Sequence, residues 1–206
     1  MRAVFRGLAA LGLLVLALAG WVLWFAARPP QEGSLAVRFA RDMRFHHTQA
    51  VELSMHLLER PVSAPVRLLA QDIAVSQEAQ IGQMGGWLDS WGLPFAGPAA
   101  PMQGMNLLAM GMATPQQVRS LDSLSAPQAE TEYLQLMIQH HRGGVQMAQD
   151  GLKSGVGQVR TLARAIVNSQ SAEIKLMSEM LRQRGAAVPV GLPGVGSGGM
   201  DIMPMK

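Results

Sequence analysis

The sequence predicts an all-α fold: a ferritin-like four-helix bundle of two helical hairpins joined by a long crossover, with a transmembrane helix at its N-terminus. Three observations predict it. Four long segments carry apolar residues at helical spacing between Pro, Gly and Ser punctuation, and none shows the two-residue alternation of a strand. These segments also repeat. A shift of 94 positions superposes Met43, His46, His47 and Val51 on Met137, His140, His141 and Val145. A shift of 93 superposes Leu69, Ala70, Ile73, Ser76, Gln77, Ala79, Ile81, Met84 and Leu88 on Leu162, Ala163, Ile166, Ser169, Gln170, Ala172, Ile174, Met177 and Leu181. The third observation is an uncharged run of 21 residues, Gly7 to Ala27.

Taken in order, that run follows Arg2 and Arg6 and carries Trp21 and Trp24 near its far end. At ~1.5 Å per residue it spans a hydrocarbon core of roughly 30 Å with the tryptophans at interface depth, amino end inside. A cleaved signal peptide, cut after Ala17-Leu18-Ala19, is the competing reading. Both readings export the remainder of the chain. Residues 1–30 are therefore read as a transmembrane anchor, 34–188 as the bundle, and 189–206 as a flexible Gly- and Met-rich tail.

Ser34 caps a helix that runs to Arg60 and stops at Pro61. The second helix covers Ser63 to Trp91, with Pro65 in its first turn and Gly92 beyond its end. Thr114-Pro115 opens a short helix reaching Leu124 inside the connection. Pro127 opens the third long helix, to about Lys153. Gly155 and Gly157 break the chain before a last helix from Gln158 to Arg184. Two hairpins with one apolar face each bury those faces most simply against each other. The first and third long helices are then antiparallel and their Met-x-x-His-His segments equivalent.

Composition narrows the chemistry. The 206 residues include no Cys, 15 Met, and 17 Lys plus Arg against 14 Asp plus Glu. The first 30 residues hold Arg2, Arg6 and Arg28, so the remainder has 14 basic and 14 acidic residues, and no nucleic-acid-binding surface is expected. Without Cys there is no disulfide, thiolate nucleophile or zinc ribbon, and any soft metal ligand must be a methionine.

On a helix, Met43, His46, His47 and Ala50 lie within one turn, as do Met137, His140, His141 and Gly144. Adjacent histidines point about 100° apart, so one of each pair faces the bundle centre and the other lines an interface. Imidazole suits copper, zinc, nickel and iron, whereas thioether selects copper(I). A ferritin-type di-iron centre needs a Glu three residues before a His, which is absent, as is His-Glu-x-x-His. Met84, Met147, Met177 and Met180 read as core, and Gln77 and Gln170 either as hydrogen-bond partners of an inward His or, equally, as polar groups at the bundle rim. Met102, Met105, Met110 and Met112 in the connection, and Met200, Met203 and Met205 in the tail, have spacings that let two sulfurs reach one soft ion. The equal alternative for the connection is that it packs its methionines onto the bundle, and the alternative for the tail is compositional bias alone.

Several stretches resemble a bacterial family of exported ferritin-like domains of unknown function that includes copper-binding and copper-resistance proteins. They are Phe39-Ala40-Arg41-Asp42-Met43 through His46-His47-Thr48-Gln49-Ala50-Val51-Glu52, Gly111-Met112-Ala113-Thr114-Pro115, Tyr133 through His140-His141, Val145-Gln146-Met147-Ala148, and Glu173-Ile174-Lys175-Leu176-Met177. The resemblance covers about residues 36 to 184. It implies copper handling outside the cytoplasm, with Met43, His46, His47, Met137, His140, His141 and Met147 as metal ligands. Leu53 stands where the second half has Met147, so a ligand there exists in one half only.

The function expected is a non-enzymatic copper-binding protein that sequesters or delivers copper ions, Cu(I) or Cu(II), with zinc as the alternative metal. A single-pass anchor places it at the bacterial inner membrane with its domain in the periplasm, and a copper-transport protein is an expected partner. Two other classes compete. A metal-dependent oxidase would draw its acid or base from Asp42, Glu52 or Glu132. A membrane-presented interaction module would use the histidines only structurally.

Overall fold

The computed structural model describes residues 12–21 and 28–192, and the chain divides into two units, residues 1–31 and 32–206. In the first unit residues 12–21 are helical. Among the described residues no helix is long and apolar enough to cross a membrane. The other parts of the expected span, residues 7–11 and 22–27, lie outside the described residues, as do residues 193–206 with Met200, Met203 and Met205.

The second unit is all helical, with no strand among its described residues. Helix α1 (Leu35–Leu58) begins where the Ser34 hydroxyl accepts the Val37 N–H at 3.4 Å. Helix α2 (Ala64–Ser90) opens with proline in its first turn and gives way to Gly92, whose φ of 71° ends a helix without steric cost. Helix α3 (Pro115–Ser123) starts at a capping box between Thr114 and Gln117. Helix α4 (Ala126–Gly151) follows Ser125, whose N–H and hydroxyl both donate to Gln128 Oε1. Helix α5 (Gly157–Gln183) completes the set. Each long helix ends within about two residues of its expected boundary, the ordinary uncertainty of a frayed terminus.

Helix α1 packs most extensively on α2, and α4 on α5, so each pair is a hairpin. The hairpins meet along α1 and α4, with α3 against both. Along that seam Phe39 lies against Gly151, His46 against His140, and Ser54 against Tyr133. Rising numbers on α1 meet falling numbers on α4, so the two helices are antiparallel.

The buried side chains fall into two clusters. One is built on Leu53, Leu57, Leu69, Ile73, Tyr133, Leu134, Met137, Ile138, Met177 and Leu181. The other is built on Val37, Phe39, Met43, Met84, Leu88, Met147, Leu162 and Ile166. Residues 46–47 and 140–141 lie between the α1 and α4 contributions to these clusters, so the histidines form a polar layer across an otherwise apolar core.

The crossover from α2 to α4 is fastened over this layer. Asp42 accepts the Met102 N–H at 2.7 Å, and Gln49 brackets Ala113, accepting from its N–H at 2.7 Å and donating to its carbonyl at 2.9 Å. Gly143 on α4 has no side chain where the Met110 carbonyl approaches, and a Cβ there would overlap that carbonyl. Past α5, Arg142 donates to the Pro189 and Gly191 carbonyls at 2.8 and 2.9 Å, holding the first residues of the tail region on α4.

Candidate metal centre

Helix α1 carries Met43, His46 and His47 and helix α4 carries Met137, His140 and His141, all fully buried. His46 and His140 point into the seam and stack, with ring centroids 3.8 Å apart and planes 30° apart. His47 and His141 turn away, each toward the second helix of its own hairpin, with centroids 6.3 Å from His46 and 6.2 Å from His140 respectively. This is the division of labour that a 100° step between neighbours imposes.

Every one of the four rings uses Nε2 in the same way. His46 Nε2 meets the Met110 carbonyl at 3.1 Å and His140 Nε2 meets the His46 carbonyl at 2.9 Å. His47 Nε2 meets Gln80 Oε1 at 2.7 Å, and His141 Nε2 meets Glu173 Oε2 at 2.7 Å. All four partners are acceptors, so each Nε2 carries the proton and donates. In the neutral ring Nδ1 is then a bare lone pair, and all four Nδ1 atoms are buried with no hydrogen-bond partner.

Electrostatics keep the lone pairs bare. Burial drives His46 down to about 4, outweighing the Met110 carbonyl that favours its charged form. Burial, with His46 beside it, drives His47 down to about 3. His140 is held well below the usual imidazole range by burial and then by His46, His141 and His47. These rings are neutral at pH 7 and have no proton to lose before binding a cation. An imidazole whose N–H is already tied to a carbonyl or carboxylate, with its other nitrogen free, is in the tautomer and orientation of a metal ligand.

The thioethers flank the layer. Met43 belongs to one apolar cluster and Met137 to the other, on opposite sides of the histidines. Among the described residues no three His, Cys, Asp or Glu side chains group around one point. The four imidazoles therefore share a layer without forming a single multi-histidine cage of the kind tetrahedral zinc uses. With Met105 and Met110, Met147 lines a cavity of about 430 Å3 that also touches Phe39, Asp42 and Asp150. Met110 joins the two regions, lining the cavity while its carbonyl receives His46.

Gln77 and Gln170 do not partner the histidines as expected. Both carboxamides are buried with oxygen and nitrogen unpaired, that of Gln170 lying against Gly144. The partners are instead Gln80 and Glu173, one turn further along α2 and α5. They differ in residue type, so identity between the halves does not reveal them, yet they correspond at the same 93-residue offset. Of the carboxylates offered for acid–base work, Asp42 is engaged by Met102 and Glu52 is exposed.

A helical bundle with a buried layer of four histidines, each with an unpartnered Nδ1 and flanked by methionine, defines a class of proteins with an internal imidazole and thioether donor set. Within that class the chain belongs to the DUF305 family, a domain of unknown function whose pattern it matches over residues 36–181. A comparison with curated proteins gives no match. Among solved structures it is similar to a DUF305 protein from Streptomyces coelicolor described as secreted, at 46% identity over 76% of this chain and 98% of that one, TM-score 0.71. A DUF305 fragment from Deinococcus radiodurans is 39% identical over 75% of this chain and 99% of that one, TM-score 0.67. CopM in its Cu(I)-bound form is 25% identical over 72% of this chain and 96% of that one, TM-score 0.58.

Proposed function

We propose that this chain is an extracytoplasmic copper-binding protein that sequesters or delivers copper through histidine Nδ1 and methionine sulfur, without catalysis of its own. The observation that carries the reading is the set of four buried Nδ1 atoms with no partner, in rings whose Nε2–H groups are all engaged. Leaving a buried polar atom unpaired costs roughly 1–3 kcal/mol. Four of one ligand type in one layer are best explained by a cation that uses them. Met43 and Met137 supply the soft ligands that favour Cu(I), the ion bound in one CopM structure.

The cavity lined by Met105, Met110 and Met147 supports the delivery half of the proposal. Buried histidines need a way in for the ion, and Met105, 44% exposed, leads from solvent to the residue whose carbonyl holds His46. Export is supported by the secreted relative, and the uncharged run from Gly7 to Ala27 behind Arg2 and Arg6 supports a membrane anchor that keeps the ferritin-like bundle at the membrane, near a copper-transport partner.

Competition for Cu(I) against a chromogenic chelator, in the wild type and in a variant with His46, His47, His140 and His141 replaced by Ala, tests the reading. Loss of tight binding in a variant that keeps its helical circular dichroism is expected. Undiminished binding contradicts the histidine site.

A further inference from the structure

The outer histidines of the two halves, His47 and His141, occupy equivalent places and differ in the chemistry of one partner. His47 and His141 are both fully buried, both leave Nδ1 unpartnered, and both donate from Nε2 across their own hairpin at 2.7 Å. The acceptors occupy corresponding positions, since His141 follows His47 by 94 residues and Glu173 follows Gln80 by 93. One acceptor is a neutral amide oxygen. The other is a carboxylate.

We infer that Glu173 is a positioning residue that makes the His141 half the stronger metal position, and that the gain is larger for Cu(II) than for Cu(I). The inference rests on the copper reading above. A carboxylate accepting the Nε2–H raises the electron density of the ring, so Nδ1 becomes a better donor, and it sets a negative charge one ring-width behind the incoming cation. A Gln amide holds the same geometry without the charge. Because the ring lies in a poorly screened interior, the attraction is felt by the ion and scales with the ion's charge, which separates Cu(II) from Cu(I). Glu173 itself is 24% exposed, so its charge remains hydrated at its outer edge. Gln80 is likewise only part-buried, so a carboxylate can occupy either position.

The chain thus contains its own control. Cu(II) and Cu(I) affinities are measured by chelator competition in the full chain, in E173Q, in Q80E and in the exchange variant Q80E/E173Q, while histidine-selective NMR follows which ring responds to the first equivalent of Ag(I). In the wild type His141 is expected to respond before His47. E173Q, which keeps the acceptor and removes its charge, is expected to weaken the tighter Cu(II) step by about 10–100-fold, the range found when a ligand's hydrogen-bond partner is mutated, with a smaller loss for Cu(I). The exchange variant is expected to recover two unequal steps with the order of the rings reversed, which a purely structural role for Glu173 does not produce. Simultaneous filling of both halves in the wild type, or an E173Q variant with unchanged Cu(II) affinity, overturns the inference while leaving copper binding intact. A wild type that binds neither ion overturns both.

Discussion

His140 and His46 are joined twice across the antiparallel seam: their rings stack at 3.8 Å, and His140 Nε2–H donates to the His46 carbonyl at 2.9 Å. The second contact borrows a backbone acceptor from α1 to fix the tautomer of a ring on α4. The stack therefore holds two neutral imidazoles face to face with both Nδ1 atoms bare, and its behaviour toward protons, packing changes and metals can be foreseen.

Protons should weaken the metal-free protein. His46 and His47 sit at about 4 and about 3 when folded and near 6.5 when unfolded, and His140 is shifted the same way, so between those values the unfolded chain binds more protons. Stability is then complete above pH 6.5 and falls as pH drops toward 4, with His46 alone contributing on the order of 3 kcal/mol of loss. Denaturant unfolding of metal-free protein between pH 7.5 and 4.5 checks this. A flat profile would mean that the rings are hydrated or charged in the folded state.

Replacing Gly143 by Ala should detach the crossover from α4, because the new methyl overlaps the Met110 carbonyl that also receives His46. Overpacking of this kind costs about 1–3 kcal/mol. Gly155, with open space around it, provides the control. Urea midpoints of G143A and G155A compare them, and equal midpoints would contradict the close approach.

Tyr133 and Ser54 share a hydrogen bond of 2.9 Å inside the apolar cluster on one side of the histidines. Y133F and S54A should each cost about 1 kcal/mol or somewhat more, and the double variant less than their sum, because removing both partners leaves no orphan. A double-mutant cycle measured by denaturant unfolding checks this, and strict additivity would mean that the two hydroxyls do not interact.

Exchanging Met105 and Met110 for Leu keeps the volume of the cavity wall and removes the sulfur. Loading of Ag(I), followed by stopped-flow, should slow in M105L/M110L while the final number of ions held by the histidine layer stays the same. Unchanged loading would place the ion's route elsewhere.

Much of this was legible in the sequence. Ser34, Pro65, Thr114 and Gly92 mark helix ends through local backbone chemistry, so boundaries follow from short stretches alone. The equal register of His46-His47 and His140-His141 likewise foretells a shared layer. Other features depend on how far each helix is rotated and on the path of the crossover, which spacing does not specify. The separation of Met43 from Met137 into opposite clusters is one. The assignment of His46 to a crossover carbonyl, and of His47 and His141 to Gln80 and Glu173 instead of Gln77 and Gln170, are others. The place of Met147 in the wall of a cavity shared with Met105 and Met110 is another.

In the proposed copper site the four Nδ1 atoms bind the metal while each Nε2 keeps its proton. Long-range nitrogen–proton NMR of histidine-labelled protein, recorded during titration with Cu(I) or Ag(I) at pH 7, reads both atoms in each ring. Large shifts confined to Nδ1 of His46, His47, His140 and His141, with every Nε2–H retained, are the predicted result; unmoved Nδ1 signals under saturating metal would contradict the account.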